Sequence, residues 1–163
     1  MKIIGIDAST TCSGIGVIED GKLVYHGTIN MRKNKNSYDR VTNMMYEIGA
    51  FIIDVKPDCV YIEDSWTGKN AEITKMLSNI IGAVMYVCKV NDINFTKLNP
   101  SLWRSAVGIT LDKKGKKVKR DELKKEAVKR VKRIYKIDCE DDEAEGICIA
   151  EAGWIMQDND LFD

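Results

Sequence analysis

The stretch Lys2 to Ile29, KIIGIDASTTCSGIGVIEDGKLVYHGTI, decides how the rest of the chain is read. Residues 2–8 are a short apolar run broken at its end by Asp7, ahead of the small polar turn Ser9-Thr10-Thr11. Residues 14–20 and 22–29 read as two further strands joined by a tight turn at Asp20-Gly21. Three strands in immediate succession predict an antiparallel start to a sheet. Nothing in this stretch has helical period.

Downstream the pattern changes to alternating helices and strands. Ser37 is placed to cap a helix running from Tyr38 to Val55, with Val41, Met44, Met45, Ile48, Phe51 and Ile52 on one side, until Lys56-Pro57 stops it. Residues 58–64, DCVYIED, form a buried strand. A long helix follows from about Asn70 to Val90, with a wide apolar stripe that includes Ile73, Ile80, Val84, Met85 and Cys88. Residues 93–98 are another strand, and Asn99-Pro100 opens a short helix ended by Gly108. The segment 109–119 has no apolar period and predicts a flexible loop. Two more helices close the chain: Arg120 to Tyr135, with Leu123, Ala127, Val128, Val131 and Ile134 inward, and about Asp141 to Met156. This order predicts an α/β fold with a mixed five-stranded sheet, an antiparallel hairpin on one side and parallel strands on the other, flanked by helices.

With 163 residues, 44% hydrophobic and 31% charged, the chain is expected to be a single globular domain, 1–163, neither disordered nor fibrous. No run of about 18 uninterrupted apolar residues and no signal-like N-terminal stretch is present, so a cytoplasmic protein without a membrane partner is expected. The five cysteines are odd in number, lack a C-x-x-C pair and sit mostly in apolar runs, which favours reduced thiols over disulfides or a zinc site. Formal net charge is zero, but Lys113 to Lys136 holds thirteen bases against three acids, and Asp138 to Asp163 ten acids and no base. The basic block is either a solvated helix face or a surface for a polyanion.

Acids stand where a sheet protein holds reactive groups. Asp7 and Glu63 end apolar strands, and Asp142 and Glu145, three apart, share one face at the start of the last helix, with Asp141 as the substitute for Asp142 if the helix is rotated. Singly, each has an ordinary explanation: a turn residue, a solvated strand end, or complementation of a helix dipole worth about 0.3–1 kcal/mol. Together, acids at two strand ends and a helix-borne pair are a donor set for hard divalent cations. Two such cations about 3.5–4 Å apart can serve an in-line phosphoryl displacement. His26, the one histidine, is far in sequence from these acids and reads as a packed or surface imidazole.

These residues carry a resemblance. IIGIDASTTCSGIGVIE, then VYIEDSWTGKNAEITKMLSNIIGAV, then DDEAEGICIAEA resemble, in order and spacing, the motifs of RuvC-type Holliday junction resolvases of the RNase H-like superfamily, in a phage or Firmicutes form. The resemblance covers most of residues 2–152. It implies that Asp7, Glu63, Asp142 and Glu145 are catalytic and hold two Mg²⁺ ions, with Mn²⁺ as the alternative; Glu145 departs from the Asp usual there. It implies that Trp66 stacks on a base near the junction centre, that Lys69 and Asn70 contact the DNA backbone, and that Arg104 and Lys119 belong to the DNA-binding and catalytic set. Lys113, Lys114, Lys116, Lys117 and Lys119 would then track phosphates. The implied activity is a structure-selective endodeoxyribonuclease making paired nicks in branched DNA, and the implied assembly is a homodimer through the 70–90 helix, whose stripe equally suits a central core helix.

Two other readings stand beside it. GIDASTTCSGIGVI also resembles the phosphate loop of sugar kinases and actin-like ATPases, although Gly14-Ile15-Gly16 has no third glycine in register. A non-catalytic DNA-binding module using the basic block alone is the other.

Overall fold

A computed structural model describes residues 1–64, 70–109, 112–113 and 116–160. Its main sheet is built from β1 (Lys2–Asp7), β2 (Cys12–Glu19), β3 (Lys22–Asn30), β4 (Cys59–Glu63) and β5 (Asn94–Leu98), in the order β3-β2-β1-β4-β5. The first three strands pair antiparallel, and β4 and β5 run parallel to β1. The expected mixed five-stranded sheet is therefore present. Helices α1 (Ser37–Val55) and α2 (Ala71–Val90) cover one face. Helices α3 (Pro100–Ala106), α4 (Arg120–Tyr135) and α5 (Asp141–Asp160) cover the other.

Strand alternation decides which residues meet which layer. Ile4 and Ile6 of β1 pack beneath α1 and α2, while Ile3 joins the core under α5. Asp7 follows Ile3 and Gly5 on the α5 side. Cys59 and Tyr61 of β4 belong to the same α5 core, and Glu63 continues their face.

What lets α5 lie so close is a set of glycines. A Cβ on Gly5 would fall 2.1 Å from the Ala150 amide nitrogen, one on Gly14 1.7 Å from the Asp142 carbonyl oxygen, and one on Gly16 2.5 Å from Ile147 Cα. Gly146 answers from the helix, where a Cβ would fall 2.5 Å from the Gly14 carbonyl carbon. The Gly14-Ile15-Gly16 pair thus admits a helix backbone, and the space a phosphate loop would need is filled. Arg130 ties α4 to α5 through both Glu151 carboxylate oxygens, at 2.6 and 3.2 Å.

Four local expectations are corrected. Asn36, not Ser37, caps α1, its side chain accepting from the Tyr38 and Asp39 amides. Segment 109–119 holds a short antiparallel pair, β6 (Asp112–Lys113) with β7 (Lys116–Lys117), and buries Ile109 and Val118 at its ends. Ile134, expected inward on α4, is 41% exposed because Ala127 and Val131 already fill that contact. The last helix extends to Asp160 rather than Met156.

Helix α2 buries only Ile80, Ile81, Val84 and Cys88. By length and composition it would also pass for a membrane span, but that buried row is seated on the sheet. Ile73, Met85, Tyr86 and Val90 remain exposed, so the wide stripe exceeds what the sheet covers.

Candidate active site

Four of the predicted acids arrive at one end of the α5 face: Asp7 from the end of β1, Glu63 from the end of β4, and Asp142 and Glu145 from the first two turns of α5. Glu145 is only 2% exposed. Asp7 is the most crowded. Burial pushes its carboxyl well above the usual range, and the negative charges of Glu145, Glu63 and Asp142 push it further, with only a modest pull downward from Lys124. No hydrogen bond or ion pair reaches the Asp7 carboxylate among the described residues.

Helix α3 supplies a cation and a neutral donor to Glu63 and Glu145. The Asn99 side chain caps α3 by accepting from Ser101 at 2.8 Å, and Pro100 fits its first turn. This sets Trp103 Nε1 to donate to Glu63 at 2.7 Å. Arg104 Nη2 donates to Glu145 at 2.7 Å and lies 3.6 Å from Glu63. Burial raises the Glu63 carboxyl, while Arg104 and the Trp103 donor offset part of the rise. Arg104 is 7% exposed, its guanidinium carbon 4.3 Å from the Trp103 ring centroid and its Nε buried without a hydrogen-bond partner. Arg104, which the family resemblance puts in the DNA-binding and catalytic set, has its guanidinium engaged with carboxylates, because the short helix aims it inward.

Helix α4 supplies a further cation that no sequence motif singles out. Lys124 Nζ lies 2.9 Å from Asp141, 3.1 Å from Asp142 and 3.8 Å from Glu145. Burial pulls its ammonium pKa down, but the hydrogen bonds to Asp141 and Asp142 outweigh that and hold it above the ordinary lysine value. The same Lys124 bond holds the Asp141 carboxyl below its ordinary value. Arg32 adds a contact of 3.2 Å to Asp142 from the open side. His26 also enters: opposite Gly16 on β3, its Nδ1 pairs with Glu143. Separation along the chain hides that pairing from the sequence. The six carboxylates of residues 138–145 are thus interleaved with Arg32, Lys124, Arg104 and Lys132, which answers their mutual repulsion.

The other expected contacts divide. Trp66, Lys69 and Lys114 lie outside the described residues. Asn70 caps α2, its side-chain oxygen accepting from Glu72 and Ile73, so that oxygen is already engaged. Lys113 lies on β6; Lys116 and Lys117 on β7 and Lys119 before α4 are exposed. A cleft of about 410 Å³ beside this basic edge is lined in part by Asn99, Ser101, Lys117, Leu123 and Arg104, the last of which pairs with Glu145.

The donor set is one of hard oxygens, and a half-buried Asp7 that has no hydrogen bond or ion pair among the described residues, set beside three other acids, fits a cation. No three of the described Asp, Glu, His and Cys residues come together closely enough to enclose one, since Arg104 and Lys124 are interposed.

This sheet order, with a helix laid across its central strands, is that of an RNase H-like fold of the resolvase kind. Residues 3–150 match the model of the family described as Crossover junction endodeoxyribonuclease RuvC, and the chain belongs to that family. The RuvC of Chlorobium phaeovibrioides is 30% identical over 112 residues, 66% of this chain and 59% of the relative. That of Carboxydothermus hydrogenoformans is 31% identical over 107 residues, 61% of this chain and 65% of the relative. The matched stretch therefore spans less than two thirds of either relative. Among solved structures, T. thermophilus RuvC in complex with Holliday junction substrate superposes with a TM-score of 0.76 at 16% identity, covering 98% of this chain and 96% of that one. Fowlpox virus resolvase with its substrate Holliday junction DNA gives 0.62 at 13% identity, covering 96% and 98%. Family membership sets aside the kinase-like reading of the glycine pair.

Proposed function

We propose that this chain is a metal-dependent endodeoxyribonuclease that resolves four-way DNA junctions by paired nicks. The observation that carries the reading is the meeting of Asp7, Glu63, Asp142 and Glu145 at one end of the α5 face in a chain of the RuvC family. The proposed cofactors are two Mg²⁺ ions, or Mn²⁺ in their place, which when bound activate water and neutralise charge on the departing 3′ oxygen. Asp7 and Glu63 hold their carboxylates on strand ends that cannot swing, and α5 presents the other two. Asp142 is preferred to Asp141 as the ligand because it acts on Asp7 directly, whereas Asp141 is more exposed and turned to Lys124.

The substrate reading draws support from the two superposed resolvases, both described with junction DNA. Lys116, Lys117 and Lys119, with Lys113 and Lys114, would follow phosphates along the basic edge, and Trp66 and Lys69 remain the proposed contacts nearest the junction centre. Neutralising Lys116, Lys117 and Lys119 together should weaken binding of every DNA sequence alike and flatten the salt slope by about 0.9 for each phosphate no longer neutralised. Titrations at several salt concentrations measure this, and an unchanged slope contradicts it.

Two symmetric nicks call for two symmetric sites. The proposed homodimer would use the exposed Ile73, Met85, Tyr86 and Val90 of α2 with Tyr46 and Ile53 of α1. A monomer by light scattering at concentrations giving full junction cleavage would exclude it. The reading as a whole, which sets the protein in the cytoplasm with the DNA, is tested by cleavage of synthetic four-way junctions, flaps, linear duplex and RNA–DNA hybrid, with Mg²⁺ and in EDTA. Preferred junction cleavage that stops in EDTA is expected. Equal cleavage of all four, or activity in EDTA, refutes it.

A further inference from the structure

Lys124 differs in kind from the other cations around the acids. Arg32 is half exposed and touches Asp142 from outside, and Arg104 bridges Glu145 to Glu63. A single Lys124 Nζ faces Asp141, Asp142 and Glu145 together from a site where the side chain is 20% exposed. An ammonium is a compact charge on a flexible stem, able to withdraw where a stacked guanidinium is held.

We propose that Lys124 is a resident counter-ion of the α5 acids, neutralising the same carboxylate oxygens that a divalent cation would take, and so lowering the site's affinity for divalent cations. The inference rests on the metal-site reading above and goes beyond it: it makes Lys124 a positioning and tuning residue, not a ligand or a group that touches substrate. The charge complementarity is already met without a cation, so binding one at Asp142 and Glu145 requires Lys124 to give up contacts of 3.1 and 3.8 Å. A unit charge that close is felt strongly even at an effective dielectric constant of about 20.

The test is calorimetric titration of Mn²⁺ into the full chain without DNA, comparing wild type with Lys124→Met and Lys124→Gln, and with Asp7→Asn as control. Either Lys124 variant should bind Mn²⁺ roughly tenfold more tightly or better. In melting experiments each should be less stable than wild type in EDTA and gain more from Mn²⁺. A variant that folds only when Mn²⁺ is present supports the inference equally. Unchanged or weaker Mn²⁺ affinity in both variants overturns it, as does failure of both to fold even with Mn²⁺, since Lys124 would then be a structural tie. The control separates the two levels. If wild type binds Mn²⁺ and Asp7→Asn does not, the metal site stands whatever the lysine variants do; if wild type and both lysine variants bind none, site and inference fall together.

Discussion

Asp7→Asn is expected to lower junction cleavage by roughly 10³-fold or more while leaving junction binding intact, because a group acting as one part of a catalytic unit takes most of the activity with it. The same change should raise the melting temperature of the metal-free protein at pH 7. Asp7 has a folded-state pKa raised above its ordinary 3.8 by burial and by Glu145, Glu63 and Asp142. A raised carboxyl contributes stability that is fully present below the unfolded value and is lost as pH rises through the folded one. Asn is neutral throughout, so its advantage should vanish near pH 3.8 and grow upward from there. Glu63, raised above its ordinary 4.5, adds a loss of the same sign in wild type. Melting curves in EDTA between pH 4 and 7 measure the effect. An Asn variant that melts no higher than wild type at pH 7, or that cuts junctions normally, contradicts this account.

Gly14→Ala should be the most damaging small substitution in the molecule. The new methyl would stand 1.7 Å from the Asp142 carbonyl oxygen and 2.3 Å from its carbon, backbone against backbone, with no flexible side chain to yield. Helix α5 would have to lift at its N-terminus, carrying Asp142 and Glu145 away from Asp7. A destabilisation of about 3 kcal/mol or more is expected, at or above the upper end of usual overpacking costs, together with loss of Mn²⁺ binding in whatever fraction folds. Gly82→Ala is the matched control, since nothing lies within 4 Å of its new methyl and it sits within α2. That variant should gain up to about 1 kcal/mol. Urea denaturation of both decides it, and equal midpoints would show that the glycine contact does not hold α5 in place.

Much of the architecture is legible in the sequence because it is written in short periods. The apolar runs at residues 2–8 and 58–64 place Asp7 and Glu63 at strand ends, and the three-residue spacing of Asp142 and Glu145 assigns them to one side of a helix. The cap of α1 falls one position from where the pattern puts it, since Asn36 and Ser37 are both good caps and only the backbone turn chooses between them. The pair β6 and β7 leaves no mark in the pattern, because two-residue strands carry no period at all.

The sequence by itself determined the five strands of the main sheet, the five helices, their order, and which acids stand at their ends, since each of these depends on neighbours a few residues apart. Only the tertiary structure decided that glycines at 5, 14 and 16 admit α5 to the sheet, that Arg104 turns inward, and that Lys124, one of thirteen bases in its block, reaches Asp141, Asp142 and Glu145 together. Those outcomes depend on how closely two distant backbones approach and on which long side chain reaches the gap between them, and no local period encodes either.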